Sequence, residues 1–431
     1  MPNVLVVAYY FPPLGGGGTQ RTLKFVRYLP EFGWKPHLLT VRDSHHLMHD
    51  DSLLPEVPED LAITRTPAIL PARFFRKALG HRAGMPRSGN TRSRRLLAGV
   101  KNLFFTCAFI PDEYVGWLPF AVRAGKRIVQ QNKIDVIYSS GPPNTAHVIA
   151  QRLSHHTGLP WAADLRDLWD QYPESYNPWN LRWRAKLDDD LEKKVLRQAQ
   201  HIIVVSDEMR QHLLKKISGL APESVHVITN GFDPADFEKT LTAPCSDRFT
   251  LVHSGTLFPW RSIQPFLFVM QRLGAKMPLR LKLLGVIPQA DRRAIQDSGL
   301  SQHIEVFEYL PYRESLRHLV EADVLLLLVG NLPHAANMLT SKLFDYIGAQ
   351  RPILALGPPG MARTLIEHEN LGFVFAEDDT EAIAATLQNW IAQKANGGIA
   401  FDARPHTKYQ RRQLTATLAR VFATGLSETR K

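Results

Sequence analysis

Apolar positions along this chain fall alternately into short continuous runs and into helical spacings. Val4–Tyr9 is a continuous apolar run followed by glycines. Thr19–Phe32 then shows the i, i+3, i+4 recurrence of a helix, with Gly33 placed to cap its end. The same reading predicts strands at Pro36–Val41, Asp135–Ser140, Trp161–Leu165, His201–Ser206 and Val225–Thr229, and helices at Ala121–Asn132, Thr145–Thr157 and Arg182–Gln198. Residues from about Arg42 to Asp112 are less regular. Near Gly231 the pattern loosens into FDPADFEKTLTAPCSDR, which is expected to be an interdomain linker. The alternation then restarts: strands at Phe249–Ser254, Leu279–Leu284, Ile304–Phe307, Val324–Val329 and Gly372–Phe375, a helix at Ile263–Leu273, and a helix–turn–strand unit over Thr340–Leu356. Thr380–Ala392 and His406–Ala423 read as closing helices. Strands alternating with helices predict an α/β class, with parallel sheets wrapped by helices.

Composition narrows this picture. A chain of 431 residues that is 44% hydrophobic can bury sizeable cores, and two α/β domains are the simplest division. The start, MPNVLVVAYYFPP, reads directly as a first strand and lacks the basic region and cleavage site of a secretory signal. No run of about 18 uninterrupted apolar residues predicts a membrane-crossing helix. Cys107 and Cys245 are the only cysteines, so neither a disulfide framework nor a cysteine metal site is expected, which fits a reducing cytoplasm. The net charge of +11 is uneven: Arg65 to Lys101 carries ten Lys/Arg and no Asp or Glu, with Phe74–Phe75, Leu96–Leu97 and Phe104–Phe105 interleaved or close by. Segment 65–101 suits an anionic membrane surface. Nucleic acid would also attract that charge, but no nucleic-acid motif accompanies it, and a solvated loop is the plain alternative.

Candidate chemistry begins in Thr340–Leu356, TSKLFDYIGAQRPILAL. A hydroxyl residue precedes a helix that carries Lys342 and Asp345 on one face, three positions apart. Helix-terminal N–H groups with Ser341 and Lys342 suit a phosphate, and Asp345 suits a sugar diol; a surface ion pair is the alternative. Gly15-Gly16-Gly17-Gly18 opens the first helix, where glycines admit close approach of a phosphate or sugar. The run is neither a dinucleotide fingerprint nor a phosphate-loop ATPase motif. Gly141-Pro142-Pro143-Asn144 and Asp164-Leu165-Arg166-Asp167 follow strands at the edge of a crevice, where ligands bind in open α/β sheets. Arg166 between Asp164 and Asp167 reads equally as a salt-bridge set. In the second half, Gly255-Thr256 follows a strand and Arg261 comes shortly after, placed to grip a diphosphate with Lys342. His45, His46 and His49 have metal-like spacing but read as a polar loop, so no metal site is expected.

In this order, YYFPPLGGGGTQR, DVIYSSGPPNTAH, PWAADLRDLW, IIVVSDEM, VHVITNGFD, LVHSGTLFPWR and SKLFDYIGAQRPILAL resemble retaining glycosyltransferases of family 4, most closely the branch that makes bacterial surface polysaccharides. The resemblance spans nearly the whole chain. It implies the GT-B fold: two Rossmann-like domains facing a cleft, here 1–240 on the acceptor side and 248–403 on the donor side, with 404–431 crossing back to the first. It implies that Arg261 and Lys342 steady the diphosphate, with Gly255, Thr256 and Ser341 around them. Asp345 stands where the family has a ribose-binding glutamate. Gly16, Gly17 and Gly18 line the cleft beside the transferring sugar. No cofactor or metal is implied, because the nucleotide sugar is itself the substrate. Two positions depart from the family. Asn337 replaces a glutamate that touches the donor sugar, and Ser140 replaces a histidine. Electrostatic help at the reacting carbon then comes from backbone groups or from a carboxylate such as Asp164 or Asp167, or activity is weak. The implied protein is a cytoplasmic, membrane-peripheral glycosyltransferase using a glycan or polyprenyl-linked acceptor, without nucleic acid. A sugar-nucleotide 2-epimerase of the same architecture, or a non-catalytic glycan- or membrane-binding relative, are the alternatives.

Overall fold

The computed structural model describes residues 1–42, 49–70, 109–170, 181–238, 248–274, 278–330, 339–402 and 404–429. The basic stretch from 71 onward, Asn337 and both cysteines lie outside them.

The first half builds β1 (Asn3–Ala8), α1 (Gly17–Tyr28), β2 (Lys35–Val41), β3 (Ala62–Thr66), α2 (Leu118–Asn132), β4 (Ile134–Gly141), α3 (Thr145–Thr157), β5 (Trp161–Leu165), α4 (Arg182–Leu196), β6 (His201–Val204), α5 (Asp207–Lys216) and β7 (Val225–Val227). Its strands form one parallel sheet in the order β3-β2-β1-β4-β5-β6-β7. The central strands are buried along nearly their whole length because both faces are covered, as parallel sheets require.

The second half builds β8 (Phe249–Ser254), α6 (Gln264–Leu273), β9 (Leu279–Leu284), α7 (Gln289–Asp297), β10 (Ile304–Phe307), α8 (Tyr312–Glu321), β11 (Val324–Leu328), α9 (Ser341–Ala349), β12 (Ile353–Leu356), α10 (Met361–His368), β13 (Gly372–Phe375), α11 (Thr380–Ala395) and finally α12 (Arg411–Thr429). Its parallel sheet runs β10-β9-β8-β11-β12-β13. Each sheet reverses its direction of growth once, between β1 and β4 and between β8 and β11. At such a switch point the strand C-termini part and leave a crevice.

Two segments tie the halves together. The described part of the expected linker, up to Glu238, packs on the second half: Phe232 and Phe237 are buried, and both press on Gly348 of α9, where any Cβ would meet their rings. Its backbone pairs with the returning chain, with Phe232 N–H donating to Tyr409 C=O at 3.0 Å and Arg411 N–H to Phe232 C=O at 2.8 Å. That pairing holds Gln410 extended, so the closing helix starts at Arg411 rather than His406. Leu414, Leu418 and Phe422 of α12 then join the core formed by Val4, Val6 and Tyr138 of the first sheet. Phe422 meets Trp34 and Tyr138 edge-on at 5.2 and 5.7 Å.

Candidate active site

The two crevices face one another and enclose a cavity of about 220 Å³. Gly16, Gly17 and Asp50 line it from the first sheet's side; Gly255, Lys342 and Asp345 line it from the second.

On the second side the chemistry sits at the start of α9. Thr340 holds the extended backbone of a cap, but its hydroxyl accepts nothing from the helix. Lys342 follows, and its Nζ has no hydrogen-bond partner among the described residues. The ammonium lies against Gly255, whose φ of 116° and missing Cβ both matter: any Cβ there would collide with Nζ. Burial first, then the nearby Arg261 charge, pull the Lys342 pKa well below its ordinary value. Arg261 is 5% exposed, gives its Nε–H to Val329 C=O at 3.2 Å and stacks its guanidinium 4.8 Å from the Trp260 ring. His253 adds no further positive charge: burial, Lys342 and Arg261 keep it neutral, and its Nδ1 bonds Leu326 C=O at 2.9 Å. Lys342 Nζ, buried and without a partner among the described residues, is a group whose charged form an anion would stabilise. Thr256 and Ser341 line the same cavity.

Asp345 faces the cavity one turn along α9. It accepts the Tyr312 hydroxyl at 2.9 Å. Burial pushes its carboxyl up to about 7, against the opposing pull of the Tyr312 hydrogen bond and the Arg411 charge.

On the first side the glycine loop touches the opposite domain. Gly16 needs its φ of 100° to turn into α1. Any Cβ at Gly17 would collide with Ser341 Oγ, and any Cβ at Gly15 with the Tyr309 hydroxyl. Gly18 is small for a different reason: Arg166 lies against it. That arginine gives Nε–H to Gly141 C=O at 2.9 Å and Nη2–H to Pro142 C=O at 2.6 Å, so it binds the two strand-end loops to each other.

The sequence-derived carboxylates are placed differently from expectation. Asp164 is fully buried and does not reach the cavity. It takes two hydrogen bonds from Arg21, at 2.9 and 2.7 Å, one from Tyr138 at 2.6 Å and one from Ser140 at 3.1 Å. Arg21 holds its pKa low despite burial. Ser140 is consumed in the same cluster rather than facing a substrate. Asp167 is half-buried, and burial raises its pKa against the pull of Arg166; it does not line the cavity. Asn337 falls outside the described residues. The carboxylates that do line the cavity are Asp50 and Asp345. No group of His, Cys, Asp or Glu suited to a metal ion occurs among the described residues.

Sequence reading missed Asp50, Gln20, Tyr312 and Arg411, all of which line the cavity. Asp50 accepts the first N–H of α8, from Tyr312, at 2.7 Å. Only Gln20 carried a local signal, because it lies in the first turn after the glycine run.

Residues 16–231 match the family model described as "Glycosyl transferase 4-like domain". No curated protein matches the chain. Among solved structures, sucrose-phosphate synthase from Thermosynechococcus elongatus superposes with a TM-score of 0.60 at 16% identity, covering 99% of this chain and 97% of its own. HepE from Anabaena, in complex with UDP and glucose, gives 0.58 at 13% identity, covering 99% and 98%. WaaG, a glycosyltransferase involved in lipopolysaccharide biosynthesis, gives 0.54 at 14% identity, covering 98% and 95%. At these identities the likeness is one of fold, the two-domain GT-B arrangement.

Proposed function

The chain belongs to the glycosyl transferase 4-like family, and from that premise we propose that it moves a sugar, with retention, from a nucleotide-sugar donor to a glycan or polyprenyl-linked acceptor of a cell-surface polysaccharide. One observation carries the donor reading: Lys342 Nζ, buried and without a partner among the described residues, sits beside Arg261 at the start of α9 in the interdomain cavity. A diphosphate brought there supplies the missing negative charge. HepE, a fold neighbour, was solved with UDP and glucose, and WaaG acts in lipopolysaccharide biosynthesis; both agree with the reading.

In this reading the transferring sugar lies beside Gly16, where the absence of a side chain leaves room for it. Asp50 already serves Tyr312 and Ser52, and Asp345 sits one turn away from the diphosphate end. The diphosphate itself therefore takes the proton of the acceptor hydroxyl as the new bond forms on the face that the leaving group vacates. Lys342 and Arg261 stabilise the charge that develops on that leaving group. The basic segment between Arg65 and Lys101 supports docking of the first domain on an anionic membrane from the cytoplasmic side. No described helix is long and apolar enough to cross a membrane.

The test is a thermal-shift screen with UDP-, GDP-, dTDP- and ADP-sugars, followed by titration calorimetry of any hit. Stabilisation by one nucleotide class supports donor binding. A folded sample that responds to none of them counts against it.

A further inference from the structure

The outer face of the first domain's helical layer has no part in the chemistry of the cavity. Helices α2, α3, α4 and α5 cover one face of the first sheet, while α1 and α12 cover the other. Between α2 and α3 a groove of about 480 Å³ opens to solvent. Four cations line it: Arg123, Lys126 and Arg127 of α2 and Arg152 of α3. None of their side chains has an ion-pair or hydrogen-bond partner among the described residues. Leu118, Pro119 and Val122 form the apolar part of the same groove.

Arg123 lies three residues before Lys126 and four before Arg127, so the three share a helix face, where like charges repel. Between Glu113 and Asp164 the chain has a single acid, Asp135, and its carboxylate is taken by the Asn3 N–H at 2.7 Å. Surface arginines of the second domain are matched instead: Arg272 with Glu381, Arg280 with Glu305 and Arg363 with Glu367, at 2.6, 3.1 and 2.8 Å. The fold supplies counter-charges there and withholds them in the groove.

A second observation comes from α4, the next helix of the layer. Its amphipathic pattern is inverted. Arg184, Asp188 and Glu192, at i, i+4 and i+8, are buried, while Trp183 and Leu187 are 49% and 43% exposed. Arg182 and Lys186 are exposed beside them. An apolar pair set among cations on an open helix face suits the boundary of water and lipid, where rings enter and ammonium groups stay with the headgroups. Nucleic acid would match the charge but would leave Leu187 and Pro119 with nothing apolar to enter.

We propose that the outer face of α2, α3 and α4 docks on an anionic bilayer, with a phospholipid phosphate held in the groove between α2 and α3 and with Trp183 and Leu187 entering the headgroup region. The proposal rests on the membrane reading above and gives it a surface among the described residues. It also sets an orientation. α2 begins beside the C-terminal end of β3, where Trp117 Nε1–H donates to Thr66 Oγ1 at 2.8 Å, so Leu118 and Pro119 lie at the crevice end of the layer. A bilayer on this face borders the crevice, and an acceptor anchored in that leaflet starts at its edge.

The experiment is vesicle co-sedimentation of the full chain, with phosphatidylcholine alone and with an equimolar mixture of phosphatidylcholine and phosphatidylglycerol. Three combined variants are compared with the parent: Arg123→Gln, Lys126→Gln, Arg127→Gln and Arg152→Gln in the groove; Trp183→Gln and Leu187→Gln on α4; and Arg92→Gln, Arg94→Gln and Arg95→Gln in the basic stretch. The groove and α4 positions other than Lys126 are exposed, so these variants keep the fold, which their melting temperatures check. The parent should sediment with the mixed vesicles and not with phosphatidylcholine alone. The groove variant should bind about 100-fold more weakly or worse, at about fivefold per cation near the surface. The α4 variant, whose charge is unchanged, should lose about tenfold. Groove and α4 variants that sediment like the parent, while the basic-stretch variant does not, overturn the surface assignment and leave the membrane reading standing. A parent that sediments with neither vesicle overturns both. A parent that binds a duplex DNA fragment but not the mixed vesicles assigns the cations to nucleic acid and overturns the proposal as well.

Discussion

The carboxylate of Asp50 accepts the backbone N–H of Tyr312 at 2.7 Å, so a side chain from the first domain closes the start of a helix in the second. The residue preceding that helix is Pro311, which has no side-chain acceptor to offer. The other oxygen of Asp50 holds Ser52, and the residue is buried. Replacing it removes a helix cap and an interdomain tie at once. Asp50→Ala should lower unfolding stability by about 1 kcal/mol, within the usual range for a lost cap, and Asp50→Asn should keep most of it. Denaturant titration of the two variants checks this, and equal losses in both would show that the cap is not what Asp50 supplies.

Asp164 is assigned a structural role by its surroundings. Asp164→Asn leaves Arg21 buried with an uncompensated charge and should cost roughly 3–5 kcal/mol of stability. Nucleotide affinity of the fraction that remains folded should be close to that of the parent. A stable variant that loses only turnover would return Asp164 to the reacting centre.

Lys342 gives a prediction about protons. Burial and Arg261 depress its pKa in the empty cavity. A bound diphosphate favours the ammonium and raises that pKa, so binding takes up a proton wherever the empty group is neutral and the bound one charged. Affinity therefore falls as pH rises through that window. Titrations over a series of pH values, each in buffers of different ionisation heat, should show net uptake across that window, and Lys342→Met should abolish it and weaken binding by about 10- to 100-fold. Identical proton counts in the two proteins would assign the uptake elsewhere.

Asp345 has the opposite character. Its carboxyl is pushed up to about 7 in the fold, mainly by burial. Between the ordinary carboxyl value and about 7, the folded state keeps a proton that the unfolded chain has lost. Stability from this group is thus present at low pH and lost as pH rises through that range. Asp345→Asn cannot ionise and escapes the loss. Its melting temperature should exceed the parent's by about 2–4 °C at pH 8, with a smaller gap at pH 5, while nucleotide affinity falls. A gap that does not change with pH would contradict the assignment.

Local spacing made part of the site legible. Lys342 and Asp345 are an i, i+3 pair, and the glycine run directly follows a strand, so neighbours in sequence are enough to find them. Arg411 and Asp50 reach the cavity only through the chain's return and through packing between domains, which no local period encodes. Asp164 misled for a related reason. It lies inside β5, and whether a strand-end residue faces the crevice or the covering helix depends on which helix packs there; here α1 brings Arg21 to it. The same limit operated on the fold. The alternation of β and α showed in long apolar runs, but α5 buries little beyond Met209 and Leu213, and the edge strand β3 buries only Thr66, so neither left a strong pattern.

The crossing of α12 onto the first domain also fixes a schedule. Synthesis runs from the N-terminus, so β1 to β7 are complete long before Arg411 is added. At 5–20 residues per second the interval is roughly 10–40 s. Throughout it, the sheet face carrying Val4, Val6 and Tyr138 lacks Leu414, Leu418 and Phe422, and the cavity lacks its arginine. A nascent chain therefore offers chaperones an apolar surface, and the last helix to emerge both covers that surface and completes the lining of the cavity.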